Sequence, residues 1–218
     1  MSHTVHPYAH RLGIIKGWKS RWFSMHGQFR NNLKADILLR EFLAKKLRSM
    51  YVADVEIERN DKSFRVIIKT SRPGIIIGRN GEGVTKLKND ILAFLKKIDV
   101  SVKGDFKLEI EEVKSPEASA SIVAQMIAEG LEKRMPFRRV MKQMIDKVMA
   151  CREVKGVRIF LSGRLGGAEM ARQEELKKGR VPLQTIRADI DFKRFEANLP
   201  YGNIGIKVWV YKGDVFKK

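Results

Sequence analysis

A glycine-rich turn at the entry to a helix constrains this chain more than any other stretch. From Pro73 to Val84 it reads P-G-I-I-I-G-R-N-G-E-G-V. An alternating run from Phe64 to Thr70 leads into it as a strand, and Leu87, Ile91, Phe94, Leu95 and Ile98 leave it at helical spacing. A helix entry offers unpaired backbone N–H groups and the positive end of the helix dipole, and glycines let a phosphate-bearing chain approach the backbone closely. The turn suits an anionic ligand.

Spacing decides which anion. The phosphate loop of nucleotide hydrolases needs Gly, four residues, then Gly-Lys-Ser/Thr, and no such run follows Gly74 or Gly78. The dinucleotide fingerprint fails too, because the third glycine after Gly81-Glu82-Gly83 would fall at Lys86. Gly78-Arg79-Asn80-Gly81 is instead a G-x-x-G loop, preceded by Ile75-Ile76-Ile77. It resembles the loop with which KH domains clamp the backbone of about four nucleotides.

Bulk charge points the same way. The 218 residues carry 44 Lys and Arg against 25 Asp and Glu, a formal charge of +19. That excess implies a polyanionic partner, nucleic acid first. At 44% hydrophobic content the chain can build ordinary cores, in one large domain or two small ones. The single cysteine, Cys151, excludes an internal disulfide framework and reads as a small packed residue. With no long apolar run and no signal-peptide core, the expectation is a cytosolic protein without a membrane partner.

Residues 1–30 read as a basic, aromatic arm. Trp18, Trp22, Phe23 and Phe29 are interleaved with Arg11, Lys16, Lys19, Arg21 and Arg30, a pattern suited to phosphate contact and base stacking. The plainer alternative is that the two tryptophans pin the arm to the first core. His6 and His10 lack further ligands nearby and Pro7 argues against a helix holding both, so neither metal nor cofactor is expected.

From Asn31 to Met50 the sequence predicts a helix capped by Asn31 or Asn32, with Leu33, Leu39, Leu43 and Leu47 inward, widened by Ile37 and Phe42. Alternation at Ala53–Glu58, Phe64–Thr70 and Phe106–Glu111 predicts three strands, with Asn60-Asp61 as a turn. The order helix, strand, strand, loop, helix, strand is that of a type II KH domain, here residues 31–114. Ser115-Pro116-Glu117 opens a second module, residues 115–213, with a tail at 214–218. Its first helix runs to about Met135. Its second buries Phe137, Val140, Met141, Met144, Ile145, Val148 and Met149. Arg138, Arg139 and Lys142 then share the solvent face, with no acid interspersed before Asp146. Strands are expected around 157–161, 171–178, 186–192 and 204–210, with a glycine-rich stretch from Ser162 to Arg172 flanked by Arg164 and Arg172. The fold class is α+β in two domains: a KH domain, then a domain of two helices and a four-strand sheet.

V-H-P at Val5, R-L-G-I at Arg11, R-P-G-I-I-I-G at Arg72, F-R-R-V-M-K at Phe137, S-G-R-L-G-G-A-E at Ser162, G-R-V-P-L at Gly179 and Y-G-N-I-G-I-K-V-W at Tyr201 together resemble the bacterial small-subunit ribosomal protein three family. The resemblance spans almost the whole chain. It implies a structural, RNA-binding place in the head of the small ribosomal subunit, at the messenger entry channel. The implied partners are small-subunit rRNA, mRNA and small-subunit proteins ten and fourteen, without homo-oligomerisation. It assigns Gly78, Arg79, Asn80 and Gly81 to RNA clamping and Arg138, Arg139 and Lys142 to the mRNA entry, where structured mRNA is unwound. His6, Arg11, Lys16, Lys19, Arg164 and Arg172 are expected to touch rRNA. Tyr8-Ala9-His10 and the single charge in Arg79-Asn80 depart from the pattern, and Ile91–Gly104 looks long for it.

Two other classes compete. A free KH factor in ribosome assembly or transcription is disfavoured because arm and modules are all basic. An enzyme needs clustered acids with a metal-ligand arrangement or an activated nucleophile, and Asp189 with Asp191 is the one pair of aspartates two apart, so no catalysis is expected.

Overall fold

A computed structural model describes residues 5–60, 63–98 and 105–216. Two units emerge: Trp18–Lys114, and the described part of Met1–Gly17 joined to Ser115–Lys218. The expected arm of residues 1–30 is therefore divided between them. The part of the Asn60-Asp61 turn at residue 61, and the residues 99–104 of the stretch that looked long, lie outside the described residues.

In the first unit, β1 (Ser20–Trp22) pairs in parallel with β2 (Val52–Arg59), which runs antiparallel to β3 (Ser63–Thr70), itself parallel to β4 (Asp105–Glu112). Strand β1 was not expected. It adds itself to the free edge of β2, where Ile57 N–H donates to the Lys19 carbonyl at 2.9 Å. Helix α2 (His26–Lys46) starts five positions earlier than Asn31, with Met25 as its first flanking residue and no side-chain cap. Asn32, an expected cap, instead donates to Ser24 Oγ at 3.3 Å.

The buried face of α2 also differs. Ala35, Leu39, Leu43 and Leu47 are inside, whereas Leu33 is 42% and Ile37 50% exposed. At about 100° per residue, Ile37 lies roughly 200° from Leu39, so both cannot face one sheet. Asp36 takes the inward position, accepting from Trp22 Nε1 at 2.7 Å and from Arg59, whose Nη2 is at 2.5 Å. A buried carboxylate persists because these donors replace its lost hydration.

Helices α3 (Pro73–Ile77) and α4 (Glu82–Lys97) follow β3. Leu87, Ile91 and Leu95 of α4 meet Leu39, Leu43, Val66 and Ile68 in one core. Each such side chain contributes about 1.5–3 kcal/mol on full burial. This is the helix-covered sheet of the expected type II KH order.

The larger segment of the second unit starts with a 3-10 turn, Pro116–Ala118, before α5 (Ala120–Glu132) and α6 (Phe137–Ala150). Asp191 accepts from the Ala120 N–H at 2.8 Å and so caps α5 from across the sheet. Strands β5 (Gly156–Gly163), β6 (Arg172–Gly179), β7 (Ala188–Leu199) and β8 (Gly202–Asp214) form an antiparallel sheet in the order β6-β5-β8-β7. Val157, Ile159, Leu161, Ile206, Val208 and Val210 face the helices, packed against Val123, Ile127, Val140 and Met141. Helix α1 (Pro7–His10) lies against β7. No described helix is long and apolar enough to cross a membrane.

Candidate nucleic-acid interface

The G-x-x-G loop is a 3-10 turn, Arg79–Gly81, between α3 and α4. Gly78 and Gly81 have φ of 70° and 76°, and Asn80 between them has φ 51°, a left-handed conformation that asparagine tolerates better than most residues. Gly83 is needed for another reason. A Cβ there would stand 2.3 Å from the Ile76 carbonyl oxygen, so the two helices meet backbone to backbone. Arg79 and Asn80 are exposed, and α4 begins without a side-chain cap on its first N–H groups. Beside them Ile75 and Ile77 are 51% and 38% exposed. The turn thus joins open donors, one cation and an apolar margin, an arrangement that can hold a phosphodiester with bases alongside. Glu82, whose carboxylate pairs with Lys86 at 3.8 Å, is the local opposing charge.

On α6, Val140, Met141, Ile145 and Val148 are buried, while Arg138, Arg139 and Lys142 are exposed. Tertiary folding changes the charge pattern, however. Glu174 of β6 accepts from Arg138 Nη2 at 2.9 Å and from its Nε at 3.3 Å. That fork holds the Glu174 carboxyl below its ordinary pKa and raises the Arg138 guanidinium above its own. Arg139 and Lys142 form no ion pair with a described residue, so they are the uncompensated cations of the face.

The six expected rRNA contacts are not equivalent. Arg11 is corrected: it is 0% exposed and spends its donors on backbone carbonyls of Ala188, Pro7, Leu183 and Thr185 at 2.5, 3.0, 3.0 and 2.8 Å. Burial lowers its pKa and the nearby Asp189 carboxylate opposes that. An arginine so enclosed cannot meet a phosphate. Lys16 pairs with Asp189 at 2.6 Å, with both side chains about one-fifth exposed (22% and 20%). Lys19 pairs with Asp54 at 2.7 Å. Both acids of the one candidate catalytic pair are therefore engaged, Asp189 with Lys16 and Asp191 with α5. His6 accepts from Tyr8 N–H at 3.3 Å and sets its ring edgewise on Phe192, with centroids 4.8 Å apart. Arg164 donates from Nε to the Ala168 carbonyl at 2.8 Å, fastening the glycine-rich turn whose Leu165 is buried in the core. Arg172 is exposed. Of the six, Arg172 is the most open to a phosphate.

Comparison with known proteins bears on this geometry. Residues 38–118 match the KH domain family, and residues 127–210 match the family described as ribosomal protein S3, C-terminal domain. Small ribosomal subunit protein uS3 of Clostridium novyi is 45% identical over 215 residues, which cover 99% of this chain and 94% of that protein. This chain belongs to the uS3 family. The uS3 proteins of Clostridium botulinum and Shewanella loihica are each 46% identical, again over 99% of this chain and over 94% and 90% of theirs.

This uS3 family member has one further cationic and aromatic surface, which no contiguous motif marks. Arg158 and Phe160 on β5, Phe192 and Arg194 on β7, and Lys207 and Trp209 on β8 all stand on the sheet face away from α5 and α6, where they line one cavity. The signal is i, i+2 spacing along strands, five of the six residues falling within the expected strands and Arg194 two positions past the expected end of its own.

Proposed function

We propose that this chain is a structural, RNA-binding component of the head of the small ribosomal subunit, in the cytoplasm. It grips small-subunit rRNA with the turn Gly78, Arg79, Asn80 and Gly81. It lines the mRNA entry with Arg138, Arg139 and Lys142, beside small-subunit proteins ten and fourteen. The observation that carries the reading is the exposed cationic edge of α6, in a chain whose kinship to uS3 runs over 99% of its length.

Long cationic side chains at such an edge hold single-strand phosphates and disfavour re-pairing of a hairpin that is being pulled apart. Nothing is hydrolysed by this protein. Translocation supplies the work and the α6 edge biases the outcome.

The test replaces Arg138, Arg139 and Lys142 together by alanine. Exposed helix positions of this kind change stability by less than about 0.5 kcal/mol. Ribosomes carrying the variant should translate unstructured mRNA near normally and slow at a stable hairpin downstream. Equal rates through the hairpin for parent and variant refute the entry role. A protein pool wholly free of small subunits in a sedimentation gradient refutes the ribosomal placement and favours a free KH factor.

A further inference from the structure

The outer face of the second sheet is organised in two cross-strand rows. Trp209 stands between Arg158 and Phe192 in one, and Lys207 between Phe160 and Arg194 in the other. Each aromatic ring has a cation against it: Arg158 lies 4.8 Å from the Trp209 centroid, Lys207 5.3 Å from that of Phe160, and Arg194 5.7 Å from that of Phe192. Val5, His6, Pro7 and Leu183 wall one end of the resulting cavity, whose volume is about 160 Å³. The wall is anchored, because Arg11 ties the Pro7 carbonyl to Ala188 of β7.

We propose that this cavity receives one unstacked RNA base, with the flanking phosphates on Arg194 and Lys207. The inference rests on the RNA-binding reading above and adds a site to it. Three features select this occupant. Aromatic faces stack on bases of any sequence, and guanidinium groups do the same while offering donors to phosphate. The cavity is well below the roughly 300 Å³ at which pockets for drug-sized ligands begin, so it suits a single planar ring. Charge is complementary as well: Glu175, which accepts from Arg158 Nη2 at 2.6 Å, is the one carboxylate paired with these three cations among the described residues. Arg194 and Lys207 have no carboxylate partner there. His6 then acts as a positioning residue, its ring braced on Phe192.

The test uses the full chain carrying Arg79→Asp and Asn80→Asp, so that the KH turn contributes little. Two probes are compared at moderate salt: an oligoadenylate of about eight nucleotides and an abasic strand with the same phosphates. The oligoadenylate should bind about tenfold more tightly, and Phe160→Leu, which keeps apolar volume but removes the ring, should abolish that difference. Arg194→Gln, at an exposed position, should weaken both strands alike and lower the salt slope. An unchanged preference in Phe160→Leu, or none before it, overturns the base site while leaving charge-driven RNA binding in place. Failure of the parent chain to bind either strand overturns the RNA reading itself. Displacement of the oligoadenylate by polyglutamate of equal charge overturns the base site in favour of an acidic protein partner.

Discussion

Arg11 Nε donates to the Ala188 carbonyl at 2.5 Å, joining the N-terminal segment to strand β7 across 177 positions of sequence. The same guanidinium reaches the carbonyls of Leu183 and Thr185, so one side chain gathers the loop ahead of β7 as well. Arg11→Met should leave these buried acceptors unsatisfied and destabilise the second unit by about 3 kcal/mol. Arg11→Lys should rescue little, since a point donor cannot span a fork of carbonyls. Limited trypsinolysis reads the effect directly. Cleavage after Lys16 should be slow in the parent and fast in both variants.

The G-x-x-G turn separates contact from construction. Arg79→Asp with Asn80→Asp should weaken RNA binding by the full chain and leave its circular dichroism unchanged, because both side chains are exposed and aspartate tolerates the left-handed backbone at residue 80. Gly83→Ala should instead lower the melting temperature, since the new methyl group has no room beside the Ile76 carbonyl. A Gly83→Ala protein as stable as the parent would mean that the helices separate freely.

Glu174 restrains one cation of the α6 edge. Glu174→Gln should free Arg138 and steepen the salt dependence of single-stranded RNA binding by about 0.7 in log affinity against log salt, the share of one phosphate contact. The pH window follows from the sign of the shift. The folded carboxyl pKa is depressed, chiefly by the hydrogen bond from Arg138, so the fork is fully present above the ordinary value of 4.5 and is lost as pH falls through the depressed one. The Arg138 Nε proton resonance should therefore hold steady from neutral pH to about 5 and shift only below that. In Glu174→Gln it should not titrate.

Binding of the whole chain to RNA should be steeply salt dependent and largely indifferent to short-range sequence. A charge of +19 implies several phosphate contacts, each contributing roughly 0.7 to 0.9 to the slope. A slope near zero between low and moderate salt would mean that stacking and base hydrogen bonding dominate.

Whatever depends on local backbone chemistry and periodicity is readable along the chain. The G-x-x-G turn, the alternating strands, the amphipathic α6 and the α+β order were legible because glycine spacing and apolar period are written along the chain. Motifs alone were enough to indicate the family, which the full-length similarity then established. Tertiary structure decided what depends on partners distant in sequence. Leu33 and Ile37 fit a core pattern because α2 is apolar on more than one side, and only the sheet and the Asp36–Arg59 pair choose which side turns inward. Arg11 has the pattern of any basic arm residue, and only the fold closes five carbonyls around it. Arg138 looked uncompensated because Glu174 lies 36 positions away. The base-sized cavity exists only where β5, β7 and β8 align their alternate residues in register, and no linear pattern specifies that register.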